Sequence, residues 1–259
     1  MTPKVLVTND DGIDSPGLHA LVRCALDLGW SPVVAAPTTE SSGTSAGLTA
    51  AKDARQVAID RRRRLPGLED VPAYAVAAHP GLIALIACHD GFGERPDLLL
   101  SGVNRGANVG RAILHSGTVG AALTAGVNGV RAVAVSLDTE MEDEPERHHW
   151  LTASSVATGL LPMVAELPKG TVINVNVPDR PAGEIGELRW GPLASYGRVQ
   201  SKVTQLRDEL IEVGSVVVEG ELEAGTDAAM LADGHATATP LSPVMEHDML
   251  LRQLGASRL

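Results

Sequence analysis

Over residues 4–178 the chain alternates short aliphatic runs with helix-spaced segments, and that alternation admits few architectures. Lys4-Val5-Leu6-Val7-Thr8 reads as a strand, and Leu18, Leu21, Val22, Ala25 and Leu26 then share one face of a helix over residues 16–28. Pro32-Val33-Val34-Ala35-Ala36 reads as a second strand, stopped at Pro37 and followed by a Thr/Ser/Gly-rich loop over residues 38–45. Tyr74-Ala75-Val76-Ala77 is a third, with a helix over residues 81–89. Asp97-Leu98-Leu99-Leu100 and Ala132-Val133-Ala134-Val135-Ser136 carry the continuous apolar pattern of strands covered on both faces. A small-residue helix over about 118–126 separates them, a further helix is expected over 151–166, and residues 171–177 form a last core strand stopped by Pro178. Repeated strand–helix units predict a parallel, doubly wound sheet whose ligands bind beyond the carboxyl ends of the strands.

Past Pro178 the pattern changes to short strand-like pieces, such as residues 213–218, which predict a β-rich arm. The expected division is a core of about 1–178, an arm of about 179–235 and a C-terminal segment 236–259. No apolar stretch approaches the roughly 20 residues of a membrane helix, and Met1 leads into the first strand without a charged, apolar leader, so the cytoplasm is expected. A net charge of −11 disfavours a long nucleic acid as partner, while small phosphorylated molecules stay possible where a metal reverses the local field. The basic run Arg61-Arg62-Arg63-Arg64 reads as a solvated loop, and Cys24 and Cys88 as buried free thiols.

Directly after the first strand, Thr8-Asn9-Asp10-Asp11-Gly12 sets two adjacent carboxylates at the ligand-binding edge. Neighbouring like charges are unfavourable unless a cation lies between them, and hard divalent ions such as Mg²⁺ and Mn²⁺ choose carboxylate and neutral oxygen ligands. The same residues also suit a plain turn in which Asp10 or Asp11 caps the next helix. A dinucleotide-binding loop is disfavoured, because carboxylates stand where glycine backbone would meet a pyrophosphate. After the second strand, Glu40-Ser41-Ser42-Gly43-Thr44-Ser45 offers hydroxyls and amides that serve a cation, a phosphate or simply a loop. Residues 101–110 carry glycines at 102, 106 and 110 and neutral amides at Asn104 and Asn108, more than a turn requires. His115-Ser116-Gly117-Thr118 opens the small-residue helix, whose N-terminal N–H groups and dipole suit a phosphate dianion. Ordinary capping by Ser116 or Thr118 accounts for only one residue of that group.

In this order, residues 7–13 with Ser15-Pro16-Gly17-Leu18, Ala36-Pro37 with Ser42-Gly43, Pro96-Asp97 through residues 101–108, and residues 116–122 resemble the SurE (survival protein E) family of metal-dependent 5′-nucleotidases and phosphatases. Residues 174–178, Gly225-Thr226-Asp227 and Thr239-Pro240-Leu241 are similar to its later landmarks, so the resemblance covers almost the whole chain. It implies an α/β fold with a three-layer, Rossmann-like, mostly parallel sheet and a β-rich C-terminal arm exchanged within a homodimer or homotetramer. It also implies one divalent metal ion per subunit, Mg²⁺ or Mn²⁺, held by Asp10, Asp11, Ser42 and Asn104. Asn108, Ser116, Gly117 and Thr118 would cradle phosphate, with Asp10, Asp11 and Asn108 as the catalytic residues. The implied activity is that of a phosphoric monoester hydrolase, a 5′-nucleotidase-like acid phosphatase acting on nucleoside 5′-monophosphates. Hydrolysis of another small phosphorylated metabolite, or nucleotide binding with weak catalysis, are the alternatives. Thr124-Ala125, Ala78-His79-Pro80-Gly81-Leu82 and His115 depart from the family pattern and bear on substrate choice. His115 is a candidate acid for the leaving alkoxide, and His148-His149 are expected on a solvated helix.

Overall fold

A computed structural model of the chain describes residues 2–40, 43–48, 56–139, 147–195, 199–207, 210–217 and 222–245. The strands are β1 (Lys4–Thr8), β2 (Ser31–Pro37), β3 (Ile59–Arg63), β4 (Ala73–Val76), β5 (Leu98–Arg105), β6 (Arg131–Asp138), β7 (Val172–Pro178), β8 (Gly186–Trp190), β9 (Val199–Arg207), β10 (Leu210–Val217) and β11 (His235–Leu241). The helices are α1 (Pro16–Asp27), α2 (Pro80–Cys88), α3 (Gly117–Val127), α4 (Trp150–Glu166) and α5 (Asp227–Ala232). Among the described residues one sheet runs in the order β3-β4-β2-β1-β5-β6-β7-β11-β8. From β4 to β7 all neighbours are parallel. At the rims, β3 is antiparallel to β4 and β11 to β7, while β8 runs parallel to β11.

Helices cover both faces, which is why runs such as Leu98-Leu99-Leu100 and Ala132-Val133-Ala134-Val135 are apolar without interruption. Successive side chains of a strand point to opposite faces, so Val5, Val7, Leu100, Val133, Val135, Ile173 and Val175 pack under α1 and α4. Leu6, Ala35, Leu99, Ala132 and Ala134 pack under α2 and α3. Each fully buried leucine in this layer stabilises the fold by roughly 2 kcal/mol. The chain builds β2 on one side of β1 and later lays β5 on the other. Chain direction from strand to strand therefore switches between β1 and β5, and a crevice opens beyond their carboxyl ends.

Several expectations are corrected at the edges of this core. The arginine run expected in a solvated loop lies largely in the edge strand β3, with the Arg61 guanidinium 5.9 Å from the centre of the Tyr74 ring. β5 does not end at Leu100 but continues through Ser101-Gly102-Val103-Asn104 to Arg105. β11, wedged between β7 and β8, alternates Ala and Thr and so presents no hydrophobic run to read. Within the expected arm, β8 joins the main sheet, and β9 and β10 pair antiparallel with each other in a separate two-stranded sheet. The acidic stretch 140–146 lies outside the described residues. His148 is buried rather than solvated: its Nδ1 lies 2.6 Å from Asp179, whose carboxylate also accepts the His149 N–H at 2.7 Å and contacts the His149 ring at 2.9 Å. That cluster fastens the start of α4 to the end of β7. Cys24 and Cys88 are buried and free, and among the described residues no helix is long and apolar enough to cross a membrane.

Candidate active site

The chain leaves β1 and turns at once. Asn9 Nδ2 donates to the Gly12 carbonyl at 2.9 Å, and Gly12 takes φ +99°, a conformation open to glycine. The turn carries Asp10 inward, where it is 5% exposed. Thr118, in the first turn of α3, donates its hydroxyl to Asp10 Oδ1 at 2.5 Å, and the same hydroxyl lies 3.1 Å from Asn104 Oδ1. Asn104 keeps its oxygen on that side because its Nδ2 donates to the carbonyls of Gly106 at 2.7 Å and Arg105 at 3.2 Å. Asp11 Oδ2 accepts the Arg105 N–H at 3.3 Å. The crevice between β1 and β5 thus gathers two carboxylates, an amide oxygen and a hydroxyl. Neither aspartate caps α1, whose N-cap is Ser15.

Burial pushes the Asp10 carboxyl above its ordinary range, against the lowering effect of the hydrogen bonds from Thr118. Burial is also the main cause at Asp11, where the negative charges of Asp10 and Glu40 add to it and the Arg105 N–H opposes it; the carboxyl rises to about 7. Two carboxylates therefore sit where negative charge is disfavoured, a setting that a bound cation relieves. Carboxylate and amide oxygens are the donors a hard divalent ion prefers, so these residues fit Mg²⁺ or Mn²⁺. Among the described residues no three His, Cys, Asp or Glu side chains come together to hold an ion. Ser42 lies outside the described residues. The segment just after it is seated on the helix layer: Ser45 Oγ donates to the Leu114 carbonyl at 2.6 Å, and a Cβ at Gly120 would come within 2.4 Å of the Ser45 backbone.

Ser116 caps α3, its hydroxyl accepting the Val119 N–H at 3.1 Å. Gly117 has no room for a side chain, since a Cβ there would stand 2.7 Å from Asp10 Oδ2. Asn108, half-buried after β5, donates its Nδ2 to Ser136 Oγ at 2.8 Å. His115 is exposed at the end of the 3-10 helix Gly110–His115. A cavity of about 290 Å³ is lined by Asn104 and Asn108, with Val109, Ile113 and Leu231 among its apolar walls and Asp138 and Thr139 among its polar ones.

One residue of this region was legible only as a family landmark. Asp227 is fully buried, accepting the Gly110 N–H on Oδ2 at 2.9 Å and the Ala194 and Ala228 N–H groups on Oδ1, each at 2.8 Å. It ties α5 and the segment after β8 to the loop that carries Asn108. An amide has one oxygen fewer, so Asp227→Asn is expected to leave at least one buried N–H facing an NH₂ group. The expected loss is about 2–3 kcal/mol of stability, read as a lower denaturant midpoint; an unchanged midpoint would show that these bonds are not what holds the loop.

The family model described as Survival protein SurE matches residues 5–199. A relative from Geobacter sp. (strain M21), named 5′-nucleotidase SurE, is 35% identical over 243 residues, covering 92% of this chain and 92% of its own. Another of that name, from Caulobacter vibrioides (strain NA1000 / CB15N), is 33% identical over 258 residues, covering 97% of this chain and 94% of its own. The crystal structure of the SurE protein from Aquifex aeolicus matches with a TM-score of 0.80 at 24% identity, over 98% of this chain and 99% of that one, and so shares the fold. A family model spanning most of the chain, and relatives above 30% identity along nearly its full length, establish that the chain belongs to the SurE family.

Proposed function

We propose that this chain is a divalent-metal-dependent phosphomonoesterase that hydrolyses nucleoside 5′-monophosphates to nucleoside and phosphate. The observation that carries the reading is the convergence of Asp10 and Asn104 on the Thr118 hydroxyl at the N-terminus of α3, with Asp11, next to Asp10, accepting the Arg105 N–H. The name 5′-nucleotidase, borne by its full-length relatives, supports the same reading. Asp10, Asp11 and Asn104, with Ser42, would hold one Mg²⁺ or Mn²⁺ per subunit, which when bound supplies Lewis-acid polarisation of a phosphoryl oxygen.

The chain's own groups supply the rest. The Thr118 hydroxyl fixes the rotamer of Asp10, and the Asn104 amide is fixed by its two carbonyl partners. Ser116 secures the first turn of α3, whose positive dipole end suits a phosphate anion bound at Gly117. Asn108 offers a neutral amide donor, so charge developing on the phosphoryl oxygens meets dipoles that are already in place. One of the two aspartates accepts the proton of the attacking water. The β9–β10 hairpin, which pairs with no strand of the main sheet among the described residues, supports an arm reaching into a second subunit of a homodimer or homotetramer.

The cavity beside Asn104 and Asn108 takes the leaving group. Its walls are largely aliphatic, and no aromatic side chain lines it among the described residues, so no aromatic stack from those residues selects a base. Asp138 and Thr139 offer oxygens to sugar hydroxyls. The same wall favours a second reading, a phosphatase for another small phosphorylated metabolite. Release of p-nitrophenol from p-nitrophenyl phosphate is expected to require Mg²⁺ or Mn²⁺ and to vanish on chelation. In a substrate panel, kcat/KM should vary by only about tenfold among the four ribonucleoside monophosphates, the scale of apolar discrimination. Turnover indifferent to chelation sinks the metal-dependent reading, and a sugar phosphate far ahead of every nucleotide replaces the substrate class.

A further inference from the structure

The two asparagines of β7 are out of place in a central strand. Asn174 and Asn176 are each 1% exposed and alternate with Ile173, Val175 and Val177. A buried primary amide left without partners is strongly unfavourable, so two in one strand call for a use. Both are used on a single residue. Asn176 Nδ2 donates to the Asn108 carbonyl at 2.9 Å while its Oδ1 accepts the Asn108 N–H at 2.7 Å, the two-way pairing that a neighbouring strand would give. Asn174 Nδ2 donates to the same carbonyl at 2.8 Å, which fills both lone pairs of that oxygen. Asn174 Oδ1 has no partner among the described residues. A merely structural side chain at this position would do better as valine, and the bond to Asn108 is what the amide adds.

The Asn108 side chain is held separately. Ser136 of β6, fully buried, accepts from Asn108 Nδ2 at 2.8 Å. Ser136 and Asn176 are register partners on adjacent parallel strands, and Asn174, two residues earlier, shares their face. Gly106 and Gly110, both at positive φ, flank the segment and would otherwise leave it free to take several paths.

We infer that Ser136, Asn174 and Asn176 are positioning residues for the hydrolytic reaction, acting through Asn108. The inference rests on the phosphate-binding role proposed above for Asn108. The two asparagines set where the Asn108 backbone stands. Ser136 sets where its amide points, occupying one Nδ2–H and leaving the other as a donor of fixed direction. A donor that meets developing charge acts through placement, so loosening it lowers kcat more than it raises KM.

The test is a double-mutant cycle on the full chain, with p-nitrophenyl phosphate and saturating Mg²⁺. Asn108→Ala is expected to lower kcat/KM by about 10²–10³-fold, the loss typical of one transition-state donor. Ser136→Ala is expected to lower kcat roughly tenfold with KM moved less than about threefold, and to change kcat less than about twofold in the Asn108→Ala background. Asn174→Val, which removes the amide and suits a strand, is expected to follow the same pattern, so the idea stays testable if one variant fails to fold. An equal loss in both backgrounds, or no loss from either variant while Asn108→Ala is impaired, overturns the positioning role alone. An Asn108→Ala enzyme with undiminished kcat/KM overturns the phosphate role of Asn108 and the positioning role together.

Discussion

Asp11→Asn is expected to lower kcat/KM by about a thousandfold or more at saturating Mg²⁺ or Mn²⁺ and, in the chelated protein near pH 8, to raise the melting temperature by several degrees. Burial, with the charge of Asp10, carries the Asp11 carboxyl from its ordinary 3.8 to about 7. A displacement of that size corresponds to at most roughly 4 kcal/mol between the two protonation states. A folded-state value above the unfolded one contributes stability that is complete below the unfolded value and is lost as pH rises through the folded one. Chelated wild-type protein should therefore weaken from about pH 4 to about pH 7 and stay weak above that range. The asparagine variant, neutral throughout at this position, should escape this loss. A gain of about 1–3 kcal/mol in a domain of this size shifts the midpoint by roughly 2–4 °C for each kcal/mol. Bound metal reverses the ranking, because an ion at a hundred times its Kd stabilises the wild type by about 2.7 kcal/mol and the variant by much less. Calorimetric scans near pH 5 and pH 8, with and without Mg²⁺, read all four states. A chelated variant that melts below chelated wild type near pH 8 would show that the fold does not hold Asp11 in readiness for a cation.

That opposition between stability and activity explains why the candidate site is legible in sequence while its supports are not. Adjacent aspartates after a buried strand break local expectation, since neither burial nor repulsion favours them, and the anomaly by itself points to a cation. The same holds for Asn104, Asn108 and the Ser116-Gly117-Thr118 turn, each at the carboxyl end of a strand or the start of a helix. What sequence could not show was their joint: Thr118 bridges to Asp10 across 108 positions and to Asn104 across 14, distances set by the sheet order. Asn174 and Asn176 were visible as polar residues in an apolar strand, yet their partner lies 66 and 68 positions away. The fold followed the same rule. Strands buried on both faces announced themselves through unbroken aliphatic runs, as at Leu98-Leu99-Leu100, whereas β11 hid because its buried residues are Ala and Thr in alternation, with no large aliphatic side chain among them. His148 misled for the opposite reason, its burial depending on Asp179 from a different strand end.

The contact between α3 and Asp10 allows the sharpest separation of activity from folding. In Gly117→Ala the new methyl would lie 2.7 Å from Asp10 Oδ2, closer than real contacts allow, and 3.0 Å from its Cβ and 3.1 Å from its Cγ, both tighter than most. The backbone at Gly117 is helical, and alanine is favoured over glycine there by up to about 1 kcal/mol on propensity alone. The strain therefore falls on the Asp10 side chain, which can move only by giving up its 2.5 Å bond from Thr118. Displacing a reacting constellation by about 1 Å lowers rates by roughly a hundredfold, so kcat/KM for p-nitrophenyl phosphate is expected to fall at least that far while the melting temperature moves by no more than a few degrees. Gly159→Ala serves as the control: this α4 glycine has nothing within 4 Å of a would-be Cβ, so its variant should keep full activity and melt slightly higher. A Gly117→Ala enzyme within twofold of wild type would mean that Asp10 does not need the position α3 imposes on it, and the metal-holding geometry built on that contact would have to be abandoned.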